Sequence, residues 1–390
     1  MRLVISGGGT GGGIYPALSV VDELIDDPRW ETSLEDILWV GQGGGLEERV
    51  MARRGIRFQA LPTGPLRGMS PWRMAASLGR MAQGTLRGRR LLGEFRADVV
   101  LATGGYVSAP MLAAAWRRCP SLIYLPDMAP GLAIRYLSPL ATRVAVSFEQ
   151  VLAHFPQGKA FVSGYPVRRA LRAADRQGAR AQLGFPGDSP VVLVMGGSRG
   201  ARAINQALAA RLPDLLTEAT VIHVSGPTDY DWLCRRRGEL PVALRERYRL
   251  YAYLYDEMPQ ALAAADVAVA RAGASTLAEF PAVGLPAVLV PYPHSGAHQQ
   301  PNADYMAAQG AAVVLAEADV ERLVPTIRGL LGDTARREAM SRASRALAKP
   351  QAAETLAAAL HELAARGLAA GRGVDARPGW VAGHDATDGR

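Results

Sequence analysis

Short β-branched runs alternate with longer Ala- and Leu-rich amphipathic stretches along most of the chain, and this alternation restricts the fold more than any other feature. Successive strands joined by a helix run parallel, and a parallel sheet needs helices over both faces to bury it. The first series of strand candidates is RLVIS (2–6), ILWVG (37–41), DVVLA (98–102), SLIYL (121–125) and RVAVS (143–147). A second series follows, with VVLVM (191–195), TVIHV (220–224), DVAVA (266–270) and PAVLV (286–290). Between the two, GYPVRR (164–169) breaks the pattern with Gly and Pro. The prediction is an α/β protein of two doubly wound, Rossmann-like domains, 1–163 and 164–351, followed by a helix over 352–366 and a flexible tail over 367–390. A chain of 390 residues is long enough for two such cores.

Hydrophobic residues make up 49% and charged residues 21%, a balance that argues against wholesale disorder. No apolar run approaches the roughly 18 residues of a membrane span. Only Leu3, Val4 and Ile5 precede the first glycines, too few for the apolar core of a signal peptide, so a cytoplasmic location is expected. Cys119 and Cys234 stand far apart without metal-ligand spacing, which argues against zinc and a disulfide framework and leaves both as packing residues. The net charge of +8 is unevenly spread: ten arginines and no Asp or Glu lie between Arg49 and Gly93. There Met69, Trp72, Met74, Leu78, Met81 and Leu86 interleave with Arg67, Arg73, Arg80, Arg87, Arg89 and Arg90. An apolar ridge fringed by arginine suits an anionic membrane surface, met through residues 66–92. A core-facing helix with a solvated basic face has the same composition, and both readings stay open. Nucleic acid fits less well, because aromatic stacking residues are sparse and no known binding module is present.

Each series begins with strand, glycine-rich turn and helix. Gly7, Gly9 and Gly12 fit GxGxxG, and VVLVM runs into Gly196-Gly197-Ser198-Arg199-Gly200. Such a turn brings backbone N–H groups close to a ligand, and the helix after it presents its positive end to an anion. Both turns are phosphate-cradle candidates, although glycine there also serves simple helix–strand packing. A dinucleotide oxidoreductase needs an acid at the end of its second strand, where this chain has Val40-Gly41-Gln42-Gly43. The first turn also lacks the GK[ST] ending of a nucleoside-triphosphate P-loop.

A denser constellation spans 270–306. Gly273, Ala274, Ser275 and Thr276 are small enough for close backbone approach, and Glu279 follows at the start of the next helix, where a carboxylate can accept from both hydroxyls of a ribose. His294, His298, Gln299, Gln300 and Asn302 then supply neutral polar groups suited to sugar hydroxyls. Two histidines four apart could ligate a metal on a helix, but Pro293 and Gly296 disfavour helix there, so no metal site is predicted. Asp229 and Asp231, beside Gly226 and Pro227, read as turn chemistry.

Taken together, GGTGGGIYPAL (8–18), TGGYVSAP (103–110), GYPVR (164–168), GGSRGARAIN (196–205), RAGASTLAEFPAVGLPAVLVPY and HQQPNA resemble the lipid-linked N-acetylglucosaminyltransferases of peptidoglycan synthesis, the MurG family, in order and spacing over about 1–365. The resemblance implies the two-domain GT-B architecture. UDP-N-acetylglucosamine would be held mainly by the second domain and a polyprenyl-pyrophosphate-linked muramyl peptide by the first, at the cytoplasmic face of the membrane and with no cofactor. Carried over by position, Arg168 and Ser198 would contact the nucleotide-sugar and Tyr255 would offer backbone groups to uracil. Glu279 would hold the ribose, Gln299 the sugar, and Ala274, Ser275 and Thr276 the diphosphate side. Thr10, Gly11 and Gly12 would line the cleft facing the donor. The basic apolar stretch matches the family's membrane-docking region, and the helix at 352–366 would pack back on the first domain.

The departures from the family gather at the chemistry. Gly13 stands where the family usually has histidine, Tyr124-Leu125-Pro126-Asp127 where it has His-Glu-Gln-Asn, and Arg199 where it has Gln. Inverting transfer needs a base for the attacking hydroxyl, while the leaving diphosphate can be met by helix N-termini, Ser198 and nearby arginines. Asp127, at the carboxyl end of its strand, is the candidate base; it could instead cap the next segment, and His294 and His298 are the fallback. A related glycosyltransferase with a different lipid acceptor and a non-catalytic nucleotide-sugar-binding paralogue are the alternative functions.

Overall fold

The structure is a computed structural model that describes residues 1–7, 11–64, 71–105, 107–185, 189–197, 200–293 and 299–369. Its strands form two sheets, every pairing of which is parallel. The first contains β1 (Leu3–Ser6), β2 (Ile37–Gly41), β3 (Arg57–Ala60), β4 (Val99–Ala102), β5 (Ser121–Leu125), β6 (Arg143–Val146) and β7 (Ala160–Val162), in the order 3-2-1-4-5-6-7. The second contains β8 (Val191–Met195), β9 (Thr220–Val224), β10 (Tyr248–Tyr251), β11 (Val267–Ala270), β12 (Ala287–Leu289) and β13 (Ala312–Val314), in the order 10-9-8-11-12-13. The two doubly wound sheets expected from the alternation are both present. Four strands had no place in that expectation: β3, β7, β10 and β13. All four lie at sheet edges and are partly or largely exposed, so their sequences lack the continuous apolar run that marks a central parallel strand.

Central strands are buried on both faces. Leu3, Ile5 and Trp39 pack with Ile14, Val21 and Leu24 of the helix Gly11–Asp26, while Val4, Leu38, Val40 and Val100 face Met111 and Leu92 on the other side. Alternating side chains of one strand thereby join two core layers. The helix Ala352–Ala369 returns to the first sheet, packing on Gly11–Asp26 and β4 with Leu356, Leu360 and Leu363 buried. It continues three residues beyond the predicted end at 366; the rest of the expected tail, 370–390, lies outside the described residues. The chain passes from one sheet to the other at Gly164, whose φ of +78° is left-handed. A β-carbon there would sit 2.6 Å from Lys349 Cβ, so the outgoing and returning segments touch at this junction.

A closed polar network fills the space behind the second glycine turn. His223, fully buried on β9, has Nδ1 2.7 Å from the Tyr248 hydroxyl and Nε2 3.0 Å from Asn205 Oδ1. Asn205 Nδ2 donates to Ser225 O and to Asp229 Oδ2, both at 2.9 Å, and Trp232 Nε1 donates to Asp229 Oδ1. Burial pushes the His223 imidazole down to about 3, so it is neutral here. Asp229 and Asp231 thus lie within the helix Pro227–Gly238, and not in a turn as expected; no group of three potential metal ligands occurs among the described residues. Cys119 is buried as predicted, but Cys234, on the same helix as Asp229, is exposed and is not a packing residue.

Asn205→Ala strips partners from His223, Asp229 and Ser225 at once. Urea unfolding should show a loss on the order of 1–3 kcal/mol, the cost of unpaired buried polar groups; an unchanged midpoint would contradict the network.

Candidate active site

In both sheets the strand order reverses at a glycine-bearing end. β1 and β4 are neighbours, as are β8 and β11, and in each pair one connection leaves to the left and the other to the right. Open parallel sheets bind ligands at such reversals, beyond the carboxyl ends of the strands. The turn after β1 leads into the helix Gly11–Asp26, the turn after β8 into Arg202–Ala210, and the turn after β11 into Thr276–Val283. Three helix N-termini are therefore delivered to the edges where the sequence placed its phosphate cradles.

The second unit contributes the acid and its surroundings. Glu279 lies in the first turn of Thr276–Val283, 8% exposed, with Oε1 3.8 Å from Arg168 Nη2. Burial raises its pKa above the usual carboxylate value, and the nearby guanidinium works in the opposite direction. Arg168 itself is anchored by donation from Nη1 to Tyr255 O at 2.9 Å and lies over the Tyr15 ring at 5.1 Å, while its buried Nε has no partner among the described residues. Tyr255 N donates to Glu257, so both main-chain groups that the resemblance assigns to uracil have protein partners in this structure. The Thr276 hydroxyl donates to Gly273 O at 2.6 Å, closing the small-residue turn, and Ala274 and Thr276 are buried with Ser275 half-buried beside them. Gln299 opens the helix Gln299–Ala308 and accepts from Tyr292 N at 2.9 Å.

The first unit supplies the opposing wall. Gly11 and Gly12 form the start of the helix Gly11–Asp26. Trp39 Nε1 donates to Gly7 O, fixing the last residue before that turn. A β-carbon at Gly13 would lie 3.1 Å from Thr103 Oγ1, so Thr103 takes part of the room a side chain at 13 needs. The Thr103 hydroxyl is buried and has no hydrogen-bond partner among the described residues. Asp127 follows β5 and its Oδ1 accepts from Asn302 Nδ2 at 3.3 Å. The N-cap of the next helix, Leu132–Leu137, is Gly131, so Asp127 is not that helix's cap. Tyr124 and Leu125, two of the departures from the family pattern, are 1% exposed within β5; Tyr124 meets the Ser147 hydroxyl at 2.8 Å and its phenol is held well above its ordinary pKa by burial. These two departures are core residues.

The two walls also touch. The Tyr15 and Tyr253 hydroxyls are 3.1 Å apart, Arg53 lies over the Tyr255 ring at 4.5 Å, and the Phe148 and Tyr305 rings are 5.1 Å apart. Of the predicted site residues, Arg168, Glu279, Tyr255 and the 274–276 turn belong to the second edge, with Asp127 on the first. Thr10, Ser198, Arg199, His294 and His298 lie outside the described residues. Asn302, expected from sequence among the sugar-facing polar groups, instead crosses to Asp127, a contact between residues 175 apart that no local pattern reports.

The chain matches the models named Glycosyltransferase family 28 N-terminal domain over residues 3–146 and Glycosyltransferase family 28 C-terminal domain over 191–356. It is 40% identical to a Roseiflexus sp. (strain RS-1) protein named UDP-N-acetylglucosamine--N-acetylmuramyl-(pentapeptide) pyrophosphoryl-undecaprenol N-acetylglucosamine transferase, covering 94% of this chain and 96% of that one. A protein of the same name from Desulforudis audaxviator is 38% identical, over 94% of this chain and all of that one. Among solved structures, MurG of Acinetobacter baumannii superposes with a TM-score of 0.66 at 24% identity, covering 92% of this chain and 99% of that chain, a likeness of fold.

Glu279 gives the site a pH signature. A carboxyl whose pKa is raised by folding contributes stability that is fully present below its ordinary value of 4.5 and is lost as pH rises through the raised value. Glu279→Gln does not titrate at this position, so its melting temperature relative to the parent should climb as pH rises above the ordinary carboxyl value of 4.5; a constant offset would show that Glu279 is not held in a low-dielectric setting.

Proposed function

The chain belongs to glycosyltransferase family 28, within the MurG N-acetylglucosaminyltransferases, and from that membership we infer what its own residues do. It transfers N-acetylglucosamine from UDP-GlcNAc to the muramyl sugar of a polyprenyl-pyrophosphate-linked peptide, converting lipid I to lipid II. The observation that carries the reading is the pairing of two switch-point edges, one bearing Glu279 and Arg168 and the other Asp127.

Residues 164–351 form the donor unit in this reading, and 1–163 with the returning helix form the acceptor unit. Glu279 accepts from the ribose hydroxyls, and Tyr255 presents its main chain to uracil once Arg168 and Glu257 exchange partners. Gln299 meets the sugar. The turn Ala274, Ser275 and Thr276, with the helix end behind it and Ser198, takes the diphosphate, where Arg168 adds positive charge as negative charge accumulates. Thr10, Gly11 and Gly12 line the opposite side of the sugar. The muramyl hydroxyl oxygen bonds to C1 as the C1–O bond to diphosphate breaks; UDP departs with the electron pair, and the hydroxyl proton passes to Asp127. What supports Asp127 is its place at the strand's carboxyl end, where open parallel sheets bind their ligands.

The long helix Pro71–Phe95 favours the membrane reading over the core-facing one. Its packing face carries Ser77, Gly84, Gly88 and Leu92, whereas Trp72 is 87% exposed, Leu86 66% and Leu78 53%, with Arg87, Arg89 and Arg90 also exposed. Large apolar groups left in solvent beside arginines suit insertion at an anionic leaflet, here the inner one, so that the enzyme docks peripherally on the cytoplasmic face. No helix among the described residues is long and apolar enough to cross a membrane.

Two outcomes test these assignments. Asp127→Asn should lower kcat for radiolabelled transfer to lipid-linked muramyl pentapeptide by about 10²–10⁴-fold with UDP affinity by calorimetry unchanged, and parental turnover would remove the base. Leu78→Asp with Leu86→Asp should weaken binding to anionic vesicles while transfer to a water-soluble short-chain acceptor persists; undiminished vesicle binding would remove the docking face.

A further inference from the structure

Asn302 is wholly buried in the first turn of Gln299–Ala308, three residues after the glutamine assigned to the sugar. Its side chain reaches three places at once. Oδ1 accepts from Met128 N at 3.2 Å, and Nδ2 donates to Ala272 O at 3.0 Å and to Asp127 Oδ1 at 3.3 Å. Asp127 and Met128 belong to the segment leaving β5 in the first sheet. Ala272 immediately precedes the turn Gly273–Thr276 in the second. One planar amide therefore ties the acceptor-side carboxylate to the two donor-side segments that bracket the diphosphate and the sugar.

Only an amide supplies this set of bonds, one acceptor lone pair and two N–H groups fixed in one plane. An ionised carboxylate has no proton to offer Ala272 O or Asp127, and an aliphatic chain gives up all three of these bonds. The same helix makes a second crossing through Tyr305 against Phe148, so its placement is set from both sides.

We propose that Asn302 is a positioning residue for transfer: through its amide, the seating of the donor-side turn fixes the orientation of the Asp127 carboxylate toward the acceptor hydroxyl. Donor placement and alignment of the proton acceptor are then one structural event. The kinetic part of this inference rests on Asp127 acting as base.

The test compares the parent, Asn302→Ala, Asp127→Asn and the double variant in steady-state and single-turnover transfer, with amide exchange at Met128 read separately. Asn302→Ala should lower kcat about 10–100-fold with the KM for UDP-GlcNAc nearly unchanged, and should cost little more when Asp127 is already Asn, because the group it orients has gone. An equal loss in both backgrounds, or a rise in KM alone, would overturn the proposal. Amide exchange keeps the two readings apart. UDP-GlcNAc should slow exchange of the Met128 N–H in the parent and not in Asn302→Ala, even if Asp127→Asn turns over normally and the base assignment falls. Equal protection in both proteins would overturn the tie itself.

Discussion

Close approach of main chain at the strand ends governs everything built above it. A β-carbon at Gly7 would stand 1.9 Å from Thr103 Oγ1, one at Gly196 2.3 Å from Ala201 N, and one at Gly200 2.6 Å from Ser225 O. No larger residue fits without moving backbone or a buried hydroxyl. Because these positions lack side chains, β1 and β8 turn directly toward their covering helices at the points where strand order reverses. The candidate functional side chains are then placed by the ends of strands and the first turns of helices, elements that hold a side chain more rigidly than a free loop does.

In the second sheet that rigidity is reinforced by buried and half-buried polar groups with defined partners. Behind the second glycine turn, the chain of bonds from Tyr248 through His223 and Asn205 to Asp229 holds the start of Arg202–Ala210 against β9. Lower on the same sheet, Asp266 accepts from Val191 N and from buried Arg180, fixing the helix Arg176–Gln182 at the entrance to β8. Glu279 is a buried acid 3.8 Å from its cation, more weakly compensated than these, and an incompletely paired acceptor of this kind is what the proposed ribose contact requires.

The central strands and the glycine turns were legible in the sequence because both depend on local pattern: continuous apolar runs, then residues that tolerate a tight turn. The edge strands β3, β7, β10 and β13 were not, since an exposed strand has no reason to be apolar. Glu279 could be found because it follows a run of small residues at helix-start spacing. Asn302 could not, because its meaning lies in a contact across the cleft. Tyr124 and Leu125, two of the departures from the family pattern, are buried in the core of the first sheet, while a side chain at Gly13 would meet Thr103 and Asp127 stands at the end of β5.

Uridine nucleotide is expected at the carboxyl edge of the second sheet, and a crystal structure with bound UDP is the decisive measurement. Ribose hydroxyls should lie within about 3 Å of the Glu279 carboxylate, with diphosphate over the N-terminus of Thr276–Val283 and uracil against the main chain of Tyr255. UDP seated on the first sheet, or with its ribose away from Glu279, would contradict that placement.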